Sequence, residues 1–181
     1  RLFERIDRLA AAVMPPGYRF IPSPNEVATF VLGKSAWAVL ALALHIELFT
    51  QDHDRMSIEP DEGLSPLFKD VFLYHWREES QHAVVDSLEW QRVDRLMSPE
   101  QRDRAVDELI SLVRGLDSLL KLQAEADTEY FISGCRPSIS SGQIVLLHSQ
   151  VLRAYRRPYI VAGVKNHHFA TLLTNLTDAA Q

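Results

Sequence analysis

Phe30-Val31-Leu32-Gly33-Lys34-Ser35-Ala36-Trp37-Ala38-Val39-Leu40-Ala41-Leu42-Ala43-Leu44-His45-Ile46-Glu47-Leu48-Phe49 decides the architecture of this chain. Apolar side chains fall on nearly every face of a helix drawn through it, the pattern of a helix enclosed by other helices. Its most apolar part, Ala36–Leu44, is flanked by Lys34, His45 and Glu47. That falls short of the roughly 20 uninterrupted apolar residues a membrane span needs. The stretch therefore predicts the enclosed rod of a soluble helical bundle, inside a helix of about residues 24–54.

Working outward, Ser23-Pro24, Ser65-Pro66 and Ser98-Pro99 repeat one device. Each sets a capping hydroxyl before a proline whose missing N–H costs nothing at the first helical position. Ser23…Glu26 and Ser98…Gln101 also have the spacing of a capping box. Helices are predicted over about 24–54, 66–96, 99–133 and 142–175, the last bent or broken near Pro158. Arg1–Val13 reads as an earlier amphipathic helix with Leu2, Ile6, Leu9 and Val13 on one side, and Met14-Pro15-Pro16-Gly17-Tyr18 as the break that ends it. No segment alternates with period two between turn signals, so the predicted class is all-α, a single antiparallel bundle of long helices.

The 181 residues include 46% hydrophobic and 24% charged, with 7 Gly and 9 Pro, which is ordinary globular usage. Lys plus Arg number 19 against 24 Asp plus Glu, a net charge of −5 that argues against a nucleic-acid partner. The cluster Arg153, Arg156, Arg157 is too small to change that. Cys135 is the single cysteine, so no internal disulfide forms, and a reducing, cytoplasmic setting without membrane association is expected. With no His close in sequence, Cys135 reads as inert.

Chemistry enters at Glu47. Its helical neighbours Leu40, Ala43 and Leu44 are apolar, so an ionised carboxylate there must be paired, protonated or bound to a cation. The following helix carries His75, Glu79, His82 and Asp86, which at about 100° per residue share a strip roughly 60° wide. Glu79-x-x-His82 presents an oxygen and a nitrogen to one point, the arrangement by which helical bundles hold iron or manganese. A buried Glu on one helix and Glu-x-x-His on the next make half of a dimetal carboxylate ligand set. The opposite face, with Phe72, Trp76, Val84 and Leu88, is expected to pack while the ligand strip faces an inner cavity. As simple charge partners, the same residues would form structural salt bridges instead.

Glu47 followed about thirty residues on by His75-x-x-x-Glu79-x-x-His82 resembles the ferritin-like diiron oxygenases of the p-aminobenzoate N-oxygenase type. The extra His four residues before the Glu makes the likeness more specific than Glu-x-x-His alone. The resemblance implies a ferritin-like bundle with two irons, manganese being the alternative. Glu47 and Glu79 would be its carboxylate ligands, and His75 and His82 its nitrogen ligands. It further implies dioxygen as oxidant, an external electron donor, and a small aromatic or amine-bearing substrate.

The family's first half, another Glu and another Glu-x-x-His, has no match in the chain. The expected explanation is that this sequence is the C-terminal portion of a longer protein; alternatively, two chains in a homodimer each supply half. Completion by later residues would rest on Asp127 and His167-His168, and Asp127 reads better as an acid hydrogen-bonded to a neighbouring helix. His148, His167 and His168 lack carboxylate partners at helical spacing. Glu100, Asp103, Glu125 and Glu129 read as solvated charge. Trp37, Trp76 and Trp90 are expected in the bundle core. No phosphate loop, nucleophile elbow, zinc cluster, flavin or nicotinamide motif is present. A helical bundle without enzymatic activity, its polar strip held by internal salt bridges, is the rival reading.

Overall fold

The computed structural model describes residues 2–13, 23–134 and 139–177, and every regular element among them is helical. In chain order these are α1 (Leu2–Val13), α2 (Pro24–Leu32), α3 (Ala36–His53), α4 (Pro66–Asp94), α5 (Pro99–Gly134), α6 (Ser141–Arg156), α7 (Gly163–Lys165) and α8 (His167–Leu176). The fold is all-α, and no helix among the described residues is long and apolar enough to cross a membrane. The break at Met14–Tyr18 and Cys135 lie outside the described residues.

The serine-proline signals place the helix starts well. Ser65 Oγ accepts from the Phe68 N–H at 3.2 Å. Ser98 and Gln101 close a reciprocal box, at 2.8 Å to Gln101 Oε1 and 3.3 Å to Ser98 Oγ. Ser23 differs from the expected box: its side chain makes no cap, and its carbonyl accepts from Glu26 and Val27 N–H at 3.0 and 3.1 Å. A box that the sequence analysis did not anticipate, Ser140 with Gln143, opens α6.

Two predicted helices are interrupted. The 24–54 helix stops at Gly33, whose N–H bonds the Thr29 carbonyl at 3.1 Å, and restarts at Ser35, whose Oγ accepts from Ala38 N–H at 3.4 Å. The Ser35 N–H donates to Glu108 Oε2 of α5 at 2.8 Å, so a tertiary bond takes the donor that a continuous helix would have used internally.

In the last predicted helix the chain does not break at Pro158. Residues Arg157–Ala162 widen into a π-type turn, which accommodates a residue with no N–H and a ring that crowds the preceding turn. The break falls at Asn166, in extended backbone, where the side chain caps α8 through His168 and Phe169 N–H at 3.0 and 3.3 Å.

α3 runs through the middle, in contact with α4, α5, α7 and α8. Trp37 and Trp90 are fully buried, edge to face at 5.0 Å, and Phe169 stacks on Trp90 at 5.8 Å. Asp94 joins three helices: it accepts from Trp37 Nε1 at 3.0 Å and from Arg102 Nε at 2.7 Å. Near the other end, Asp117 of α5 holds Arg156 by two bonds of 2.6 and 3.0 Å.

Candidate metal centre

α3 and α4 form the most extensive helix pair, and it positions the cluster. Ala41, Leu44 and Leu48 of α3 and Ala83, Ser87 and Trp90 of α4 are all buried. The small side chains of Ala83 and Ser87 let the helices approach closely. Glu47 stands one residue before Leu48, so its carboxylate emerges at the edge of this seam with only 14% of the side chain exposed. From α4, Glu79 and His82 meet it: one ligand atom from each of Glu47, Glu79 and His82 lies within 4.8 Å of the others. His82 Nδ1 is 3.5 Å from Glu79 Oε2 and 4.0 Å from Glu47 Oε1.

The electrostatics leave this cluster short of positive charge. Burial, followed by the Asp86 and Glu79 carboxylates, pushes the Glu47 carboxyl up to about 7. Asp86 shares a hydrogen bond with Glu47 and is itself raised, by burial first. Two acids in hydrogen-bond contact hold a proton between them or need a cation. Glu47 Oε2 is buried and receives no hydrogen bond from an N–H or hydroxyl donor among the described residues. A buried carboxylate whose neighbours are two further carboxylates and an imidazole suits a hard to intermediate divalent cation such as iron or manganese.

Of the four residues singled out as ligands, Glu47, Glu79 and His82 converge. His75 sits one turn away, its Nε2 2.9 Å from Glu79 Oε1, and reaches the cluster through that acid. Asp86, on the same strip, meets Glu47 and lies within reach of the His82 charge. The inner cavity expected beside the strip is absent among the described residues, because no helix covers that side: the His75 and His82 side chains are 47% and 51% exposed. The opposite face packs only in part. Phe72 and Trp76 are half-buried, with Arg55 stacked over Trp76 at 4.8 Å, while Val84 and Leu88 point to solvent.

Asp127 behaves as an interhelical acceptor, taking the Tyr155 hydroxyl of α6 and the Gln123 amide, the latter at 2.8 Å. His168 pairs with Ser87 Oγ at 2.9 Å. His148 and His167 have no carboxylate beside them in any ion pair or ligand group among the described residues. Glu100, Asp103, Glu125 and Glu129 are exposed.

Sequence reasoning passed over His45, which is buried with its Nε2 donating to the Tyr159 carbonyl at 3.1 Å. It also did not foresee the Gln51 amide on the Glu79 carbonyl at 3.3 Å. Gln51 follows Glu47 by one helical turn, and that spacing was the available signal. Comparison with family models, with curated proteins and with solved structures finds no match for this chain.

Proposed function

We propose that Glu47, Glu79 and His82 hold iron, with manganese as the alternative, in a carboxylate dimetal centre, and that the chain serves a non-haem diiron oxygenase acting on a small aromatic or amine-bearing molecule. The observation that carries this reading is the convergence of Glu47, Glu79 and His82, with Glu47 Oε2 buried and reached by no N–H or hydroxyl donor among the described residues. When bound, the metal pair would supply reductive activation of dioxygen.

The chain's own residues prepare for it. Glu47 and Glu79 offset the repulsion between two cations, and His82 adds a nitrogen donor. His75, hydrogen-bonded to Glu79, fixes the orientation of that carboxylate or joins as a further ligand. Asp86, beside Glu47 and itself raised by burial first, lies where the proton that Glu47 releases to solvent on binding a cation would pass. Electrons come from an external donor, since the chain has no flavin or nicotinamide motif.

Ferrous iron added without air and then exposed to oxygen should give a near-ultraviolet or visible band. That band should be lost in Glu79→Ala and His82→Ala; iron retained undiminished in both variants removes the site from consideration. One observation favours the rival of a non-enzymatic bundle with a structural or degenerate site: Glu79 already meets both His75 and His82 as helical neighbours. That reading predicts a colourless protein whose melting temperature ignores added metal.

A further inference from the structure

A cleft of about 450 Å³ opens where the chain leaves α3 and enters the first turns of α4, and its lining shares no residue with the metal cluster. One wall is irregular. After α3, residues Asp54–Ile58 widen into a π-type turn closed by the Glu59 N–H on the Asp54 carbonyl at 2.8 Å. Turns of this kind are rare and collect at functional positions.

Asp54 is the anomaly of the cleft. It lines the space yet is only 7% exposed, and its carboxylate takes part in no hydrogen bond or ion pair among the described residues. A carboxylate withdrawn from water without a partner is costly, so its place calls for a positive group. The two cations lining the same cleft are engaged elsewhere. Arg55 stacks over the Trp76 ring at 4.8 Å, and Lys69 donates to the Glu59 carbonyl at 2.8 Å. Between these polar groups the wall is hydrocarbon, formed by Ile58, Leu73 and the Trp76 indole.

We propose that this cleft binds a small organic cation, a protonated amine carried on an apolar or aromatic body, with Asp54 as its counter-ion. A bare metal ion requires several donor atoms converging on one point, and the acids of this cleft form no such group among the described residues. An ammonium needs one carboxylate for its charge, and its hydrocarbon body then packs on Ile58, Leu73 and Trp76. The volume is that of a small-molecule site. Glu59 and Asp70, both exposed, give the lining three acids against two bases, a balance that draws cations in. None of this depends on metal at Glu47.

The test titrates benzylamine into the full chain at neutral pH in the presence of chelator, followed by calorimetry and by tryptophan fluorescence. Benzyl alcohol serves as the uncharged counterpart. Trp37 and Trp90 are fully buried, so a change in emission reports Trp76. The expected result is saturable binding of one benzylamine per chain with a shift in emission, and benzyl alcohol at least about tenfold weaker. Asp54→Asn should bind benzylamine at least about tenfold more weakly while its thermal midpoint is no lower than wild type, because the change removes an unpaired buried charge. Trp76→Phe should still bind by calorimetry and lose the emission change. No benzylamine binding up to about 10 mM, equal affinity for the alcohol, or full affinity in Asp54→Asn overturns the proposal. So does a melting temperature well below wild type in Asp54→Asn, which would mark a structural acid. Because chelator is present throughout, each of these failures leaves the metal reading standing.

Discussion

At the scale of single residues, Glu47 governs how the protein responds to pH. Its carboxyl is ordinary, near 4.5, in the unfolded chain and is pushed up to about 7 in the fold. The Glu47 contribution to the metal-free fold is therefore greatest below about 4.5 and is lost as pH rises through about 7. A cation reverses the trend, because it binds the ionised form. The melting-temperature gain on adding Mn(II) should accordingly grow from about pH 5 to pH 8 in the wild type and be absent in Glu47→Gln. A gain that does not vary with pH would show that Glu47 is not the residue exchanging its proton for metal.

His45 and Gly163 form a second residue-scale device. The His45 ring lies where a Cβ on residue 163 would stand, and burial keeps the imidazole below its usual range. Gly163→Ala must displace that ring and its bond to the Tyr159 carbonyl, costing about 1–3 kcal/mol by chemical denaturation. A stability equal to wild type would contradict the close packing described.

Among the elements, two charged links join consecutive helices, α4 to α5 and α5 to α6. Removing the Asp94 carboxylate takes the acceptor from buried Trp37 Nε1 of α3 and breaks the ion pair with Arg102 of α5, so Asp94→Ala should cost about 2–4 kcal/mol in urea unfolding. Asp117 behaves differently, since it lies nearer to solvent. Its hydrogen bonds from Arg156 and Lys121 hold the carboxyl down at about 2, against an ordinary 3.8. Its contribution is complete above 3.8 and is lost as pH falls towards 2. Asp117→Asn should lower the midpoint of thermal unfolding at neutral pH, with the difference from wild type closing on acidification. A difference unchanged between neutral and acidic pH would count against this link.

What the sequence disclosed about these elements follows from the range of each interaction. Ser65-Pro66 and Ser98-Pro99 act within one turn, and α4 and α5 begin where they indicate. The strip of His75, Glu79, His82 and Asp86 is also local geometry, and it was legible. The break after Leu32 was half visible in Gly33 and Ser35, but what fixes it is Glu108, more than seventy residues away. Likewise, Asp86 meets Glu47 because α3 and α4 are packed at a distance no local pattern encodes. The proline at 158 marked a disturbance correctly, while the choice between a break and a widened turn depended on the helices packed around it.

For the molecule as a whole, α3 is enclosed as its composition predicts, while α4 is half covered. Its inner strip, including Ala83, Ser87 and Trp90, is buried, and the stripe from Leu67 to Val85 faces solvent. The metal ligands lie on the border between these two halves. That placement explains how one acid becomes strongly perturbed while the imidazoles stay open. It also makes the functional reading depend on divalent cation binding at this border.

The most direct measurement is calorimetric titration of Mn(II) into the metal-free full chain, compared with Glu47→Gln. The account predicts saturable binding near one ion per chain in the wild type, lost in Glu47→Gln with helical content unchanged. Equal binding by the two proteins, or none by the wild type, would contradict it.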